Sequence, residues 1–271
     1  MKRTLYYTIL ICVTISCIVT GCVLHAIHWG SRLNLFFKNE GTKTVSRDYT
    51  VTDAFDSVQM ELGLGDVEIE SGSAFSADWK GPSDLAPEIN NIHGALVITQ
   101  NTDLFHSQTL TGKKKLTITL PKGQVYNDFK VALDMGNCEI EDISAKNAEI
   151  DLKMGNLKFK DAVCDTLNVD AAMGNVEIDG LKAKNAAFSV DAGNIDVSDM
   201  GTFESLSVDA NMGNVKLDLD MKLADLTISS DSDLGSVTVN GNKLTDSSLG
   251  SGPAKLSVNA DLGSVKIHTD D

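Results

Sequence analysis

Four aspartates, Asp151, Asp170, Asp209 and Asp231, each stand three residues ahead of the Met or Leu that opens a Gly-centred turn. Ser189 and Asn259 hold the same place in two further turns. If the turns stack, these side chains form a partial column of carboxylates on one outward face. Adjacent like charges repel, and a hard divalent cation shared between neighbours would relieve them. The other reading is a solvated acidic face. The Gly-rich nonapeptide of calcium-binding β-rolls is absent. Asp231-Ser232-Asp233 lacks the Gly and terminal Glu of a helix-loop-helix calcium site at the required spacing. No metal is therefore assigned, and the column stands as a candidate only.

Other reactive side chains do not assemble into a set. His25, His28, His93, His106 and His268 show neither metal-ligand nor nucleophile-base spacing. Sugar-cleaving sites on coiled β-folds need paired carboxylates in a cleft, often with Arg or Lys to hold sugar acids. No Arg follows Arg47, and Trp79 is the only Trp beyond the N-terminal apolar segment, where it reads as a packing residue. No catalytic residue and no cofactor is expected, and the chain is read as a non-enzyme. Residues 1–47 contain Lys2, Arg3, Arg32, Lys38, Lys43 and Arg47 against Glu40, leaving 17 of 23 basic and 37 of 38 acidic residues downstream. A folded region near −20 without Arg is a poor partner for nucleic acid.

The elements that must position these residues are the turns themselves. Met135-Gly136-Asn137, Met154-Gly155-Asn156, Met173-Gly174-Asn175, Ala192-Gly193-Asn194, Met212-Gly213-Asn214, Leu234-Gly235-Ser236 and Leu262-Gly263-Ser264 place their glycines 19, 19, 19, 20, 22 and 28 residues apart. A near-constant short period is the mark of a solenoid. Upstream of each Gly, apolar side chains recur at every second position, as in Phe129, Val131, Leu133, Met135 and Ala148, Ile150, Leu152, Met154. Downstream the alternation resumes with Cys138 and Ile140 or Leu157 and Phe159, and a third pair follows, Ile143 and Ala145 or Ala162 and Cys164. Each unit reads as three short strands and three corners, with the Met positions facing inward. A helix plus its crossover does not fit this length.

Gly adopts positive φ without steric cost and Asn tolerates the neighbouring left-handed region, so Gly-Asn makes a sharp corner. Stacked corners would align Asn137, Asn156, Asn175, Asn194 and Asn214 into an amide ladder, continued by Ser264 and Ser236. Outward charges test the register. One column reads Glu139, Lys158, Glu177, Asp196, Lys216; another reads Glu141, Lys160, Asp179; a third pairs Lys130 with Glu149. Opposite charges one unit apart have a reason to recur only if consecutive coils lie over each other in parallel. The fold class is all-β, a parallel β-solenoid (β-helix) of 19–20-residue, three-strand coils behind one N-terminal transmembrane helix. It divides as 1–30 membrane anchor or signal segment, 31–47 linker, 48–128 N-terminal β region and cap, and 129–271 repeats. Leu64-Gly65-Asp66 resembles a further turn within the cap. At the other end only His268, Thr269, Asp270 and Asp271 offer polar cover, and the Gly/Ser/Asn-rich segment between Asn240 and Pro253 reads as a surface loop.

Leu5 to Ile27 is a 23-residue run without charge, behind Lys2 and Arg3. As a helix it would reach roughly 35 Å, enough to span a bilayer core. Tyr6, Tyr7 and Trp29 flank it, as interfacial aromatics do. Val19-Thr20-Gly21-Cys22 has the form of a lipobox, so the alternative is a cleaved signal peptide with lipidation at Cys22. Either arrangement places the C-terminal region outside the cytoplasm, at the cell membrane. Cys138 and Cys164 fall on inward positions and read as buried small hydrophobes.

Leu116-Thr117-Ile118-Thr119-Leu120-Pro121, followed by a strand and then by repeated Met-Gly-Asn turns with Val-Glu-Ile-type strands, resembles the bacterial β-strand-repeat family labelled "putative adhesin", related to head-GIN-type domains. The resemblance covers about residues 44 to 271. It implies a β-helical extracytoplasmic domain, often associated with envelope-stress gene neighbourhoods, and brings no catalytic residues to carry over. The resulting expectation is a membrane-anchored, non-enzymatic surface module for binding or envelope sensing, with an envelope protein or glycan as partner. The alternatives are a structural solenoid that stacks end to end through its thin C-terminal cap, and a cation-dependent or carbohydrate-active module.

Overall fold

A computed structural model describes residues 44–51, 53–100, 113–231, 234–244 and 248–270. The segment Leu5 to Ile27, with Cys22, lies outside these residues. Among the described residues there is no α-helix, and so no helix long and apolar enough to cross a membrane.

The chain opens with β1 (Thr44–Tyr49), β2 (Ser57–Leu64), β3 (Asp66–Gly72), β4 (Ser76–Pro82), β5 (Glu88–Ile92), β6 (Ala95–Thr99) and β7 (Lys115–Pro121). Regular coils follow, each two strands joined at a Gly corner, the first strand the longer in every coil but the last. They are β8 (Val125–Met135) with β9 (Cys138–Glu141), β10 (Ser144–Met154) with β11 (Leu157–Lys160), β12 (Val163–Met173) with β13 (Val176–Asp179), β14 (Lys182–Ala192) with β15 (Ile195–Met200), and β16 (Ser205–Met212) with β17 (Val215–Lys222). The chain then forms β18 (Leu226–Asp231), β19 (Leu234–Val239), β20 (Asn242–Lys243), β21 (Ser248–Gly250) and β22 (Ala254–Asp270).

Successive coils pair in parallel with the register that the period demands. Ile150 lies between Val131 and Val169, and Phe159 between Ile140 and Ile178. Inward columns of Val, Ile, Leu, Phe and Ala form one continuous buried core. Volumes are balanced between levels, with Phe129 beside Ala148 and Phe188 beside Val169. The strand count differs from expectation. The third corner lies inside the long strand, where Lys146 and Asn147 are both exposed between buried Ala145 and Ala148, and Lys146 drops out of the pairing. The bend is mild enough for backbone pairing to continue through it, so each coil carries two strands and not three. A second sharp corner follows β9, β11 and β13, where Asp142 and Asp161 take φ near +50° and Gly180 takes +71°, and Asp199 makes the equivalent turn near the end of β15 with φ near +50°. Asp tolerates this left-handed conformation better than most side chains.

Coil order in space departs from chain order at both ends. The coil of β2 and β3 lies between that of β6 and β7 and that of β8 and β9. At the far end β22 is inserted between β16/β17 and β18/β19, pairing in parallel with both. The expected C-terminal cap is thereby overturned: residues 254–270 are an inner coil, and their polar ends cover no edge. The exposed level is β18/β19. It is covered by β21 and β20, which run antiparallel on its outer side, so these two strands of the segment expected to be a surface loop form a cap. The N-terminal end uses the same device, with β5 on β6, β4 on β7 and β1 on β4, all antiparallel. A reversed strand ends the parallel ladder without offering the next coil a matching edge. Trp79 is buried in this cap, its indole N–H donating to the Pro82 carbonyl at 3.1 Å.

Candidate functional site at the Gly-Asn corner and the long-strand face

The corner glycines stack directly. Each glycine N–H donates to the carbonyl that precedes the corner one level on, as from Gly136 to Met154 at 2.9 Å and from Gly213 to Leu262 at 2.9 Å. A Cβ on Gly136, Gly155, Gly174, Gly193, Gly213 or Gly263 would overlap the carbonyl oxygen of the glycine one level back, which is Gly65, Gly136, Gly155, Gly174, Gly193 or Gly213 in turn. Gly235 pairs with Gly263 at the last level. The requirement for glycine is therefore as much close approach as backbone angle.

Beside this column runs the amide ladder. The Oδ1 of Asn156 accepts from the backbone N–H of Asn175 at 3.0 Å and from its Nδ2 at 3.2 Å; Asn137, Asn175 and Asn194 repeat the pattern to Asn156, Asn194 and Asn214. The ladder is directional. It begins at Asp66, whose Oδ1 accepts both donors of Asn137, and it ends at Ser264, whose backbone N–H donates to Asn214. A carboxylate suits the first rung because that rung needs only to accept.

The residues before the glycines correct the sequence reading. Met135, Met154, Met173, Met212 and Leu262 are 38–54% exposed, so they form an outer ridge and not an inner column. At the bend the Met, Gly and Asn all splay away from the core, and the alternation loses phase for one residue. Leu64, at the same place in the first coil, is buried. There Gln100 closes the level: its Oε1 accepts from the N–H of Gly63 and Leu64, and its Nε2 donates to the carbonyls of Leu64 and Leu85.

The outward face of the long strands holds the aspartates. Asp151 and Asp170 are direct neighbours, followed by Ser189 and Asp209. Asn259 then stands between Asp209 and Asp231, because β22 is inserted there. The carboxylates are thus contiguous at one step only, and among the described residues no group of three or more His, Cys, Asp or Glu is placed to hold a metal ion. Around Asp170 the small side chains of Ala187, Ser189 and Ser207 leave a shallow open groove, bordered by Glu149, Asp151 and Asn168. Partial desolvation in the groove, and then the charges of Asp151 and Asp191, raise the Asp170 carboxyl above its ordinary range.

The short-strand face carries the charge columns in register. Lys158 lies between Glu139 and Glu177 and pairs with Glu177 at 3.2 Å; Lys216 pairs with Asp196 at 3.0 Å, and on the long strands Lys130 pairs with Glu149 at 2.6 Å. Lys160 sits level with Glu141 and Asp179 but reaches diagonally to Glu139 at 3.5 Å. Two ladders went unread in the sequence, Lys153 to Asp134 and Lys184 to Asp165, although their 19-residue spacing was visible. Cys138 and Cys164 are buried free thiols, and burial pushes them up to about 12 and about 11.

A crystal structure of a "putative adhesin" from Bacteroides fragilis NCTC 9343 is similar over 83% of this chain and 97% of its own, with 19% identity and a TM-score of 0.58, which speaks to the fold alone. Looser similarity extends to a "putative cell adhesion protein" from Clostridium sporogenes ATCC 15579 (13% identity, 84% of this chain and 100% of that one, TM-score 0.43) and a "putative lipid binding protein" from Parabacteroides distasonis ATCC 8503 (14% identity, 84% and 97%, TM-score 0.45). No curated protein gives a match. The family profile of Toastrack DUF4097 matches residues 66–240, from the first rung of the amide ladder to the end of β19 and so across most of the stacked coils, and the chain accordingly belongs to that family.

Proposed function

We propose that this chain is a membrane-anchored, extracytoplasmic and non-enzymatic surface module that binds an envelope protein or glycan along the long-strand face. The observation that carries this reading is the groove around Asp170, where Asn168, Ser189 and Ser207 present amide and hydroxyl groups beside Asp151 and Glu149 on an in-register sheet. Such a surface suits an extended ligand rich in hydroxyl or cationic groups, held by several modest hydrogen bonds at a spacing set by the coils. The anchor supplies the location: the uncharged run from Leu5 to Ile27, or a lipid on Cys22, would tether the solenoid at the outer surface of the membrane.

The test is made on intact cells with the full-length protein. Protease added outside should remove the solenoid, and a Ser189→Trp substitution, which fills the groove without touching the core, should abolish partner or glycan capture while leaving the melting temperature unchanged. Capture that is indifferent to Ser189→Trp and to Asp170→Lys would move the binding surface elsewhere. Full protection from external protease would remove the proposed location.

A further inference from the structure

The inserted coil β22 has the properties of a donated strand. It fills a slot one coil high between two levels whose strands all precede it in the chain. Leu256 pairs with Leu206 on one side and with Ile228 on the other, and Leu262 with Met212 and Leu234. The inserted strand buries Leu256, Val258, Ala260, Val265 and Ile267, and Gly263 occupies the crowded corner beneath Gly213. An occupant must therefore combine this alternation with glycine at one fixed position, which residues 254–270 of this chain supply.

The entry to the slot is tight. Thr227 pairs with Gly250 on its outer side and with Lys255 on its inner side, so the chain rounds the start of β18 within four residues. Gly252 passes so close to Asp225 and Leu226 that a Cβ would overlap their backbone, Gly250 is equally pressed against the Leu226 carbonyl, and Pro253 follows. Short, strained hinges before an exchangeable element favour swapping between copies. We propose that β22 is an exchangeable donor strand and that the slot between β16/β17 and β18/β19 accepts residues 254–270 of a second copy of this chain, linking copies held close together on a surface.

The test uses full-length chains, each with one cysteine added to the native Cys12, Cys17, Cys22, Cys138 and Cys164, and the new disulfide is identified by peptide mapping. Ser207 and Ser257 are outward neighbours across the slot. A chain with Ser207→Cys is mixed with a chain carrying Ser257→Cys, and the mixture is oxidised; a chain with both substitutions reports seating within one copy. A tethered strand competes at a millimolar effective concentration, so at roughly 10 μM chains about 1% interchain disulfide is expected with the native hinge, rising in proportion to concentration. Gly252→Val, which obstructs the hinge but not the strand, should make the interchain product dominant. Adding Gly263→Ala to the donor chain should abolish it. The proposal is overturned if the double variant crosslinks internally while mixed chains do not, even at about 1 mM with the native hinge, or if the interchain product survives Gly263→Ala. A double variant that fails to crosslink at all would overturn the seating itself. If Gly252→Val fails to fold, the native-hinge concentration series decides alone.

Discussion

Asn175 is the middle rung of the amide ladder, and replacing it by Asp separates its two roles. The carboxylate still accepts the N–H of Asn194 at 3.0 Å and its Nδ2 at 2.9 Å, but it can no longer donate to Asn156, whose Oδ1 lies 3.2 Å away. One hydrogen bond is lost and two acceptor oxygens are brought face to face. Each exposed bond is worth roughly 0.5–1.5 kcal/mol net, and the repulsion adds a similar amount, so Asn175→Asp should cost about 1–3 kcal/mol at neutral pH. Asn175→Ala, which removes three bonds, should cost about 1.5–4.5 kcal/mol by the same scale. The sign with pH follows directly. The repelling carboxylate has its pKa raised in the folded state, so the folded protein binds a proton more readily than the unfolded one, and the penalty relative to wild type shrinks as pH falls through that range. A protonated carboxyl regains a donor and points it at Asn156. Urea denaturation of wild type, Asn175→Asp and Asp66→Asn at neutral and at acidic pH measures this. Asp66→Asn should be nearly neutral, because the first rung only accepts. An Asn175→Asp penalty of equal size at both pH values, or none at either, would show that the directional ladder contributes nothing to stability.

Four other outcomes are expected. Lys158→Glu joins Glu68, Glu139, Glu177 and Asp196 into an unbroken run of five carboxylates and should lower stability by several tenths to about 1 kcal/mol, with recovery when Glu139→Lys and Glu177→Lys are added, read by thermal melting at low and high salt. Gly174→Ala drives a Cβ into the Gly155 carbonyl and should cost more than about 4 kcal/mol, seen as loss of soluble folded protein in expression and circular dichroism. Tyr126 is buried against Phe55 and Phe129 with a hydroxyl that has no partner, so Tyr126→Phe should stabilise by about 1 kcal/mol in denaturant titration. Cys138 and Cys164 should resist thiol reagents in the native protein and react on unfolding; because burial holds both thiols protonated where the unfolded chain would ionise, stability should fall as pH rises above about 9, and Cys138→Ala should flatten that slope.

Legibility in the sequence followed periodicity. The parallel register, the glycine column, the amide ladder and the pairs Lys130 with Glu149 and Lys216 with Asp196 could all be read because each depends only on residues one period apart. What escaped depends on where the period fails. Met135 and its equivalents occupy an inward phase by counting, but the bend turns them out, and no alternation rule marks that residue. The insertion of β22 left a trace only in the long gap before Gly263, which is equally compatible with a surface loop. Gln100 and the antiparallel caps lie outside the repeat, so their roles come from three-dimensional closure of an edge. Of the candidate site, the aspartate column was legible, whereas the groove beside it arises from the small side chains Ala187, Ser189 and Ser207, which carry no signal of their own.

The two sharp corners of each coil differ in what they permit. At the glycine corner even a methyl group is excluded. The opposite corner absorbs extra residues, as the register shifts between Val197 and Met200 and between Leu219 and Lys222 demonstrate. Length variation in related sequences should therefore accumulate along one edge of the stacked coils, and an epitope or affinity tag inserted after Asp199 would project from that edge without disturbing the glycine spine.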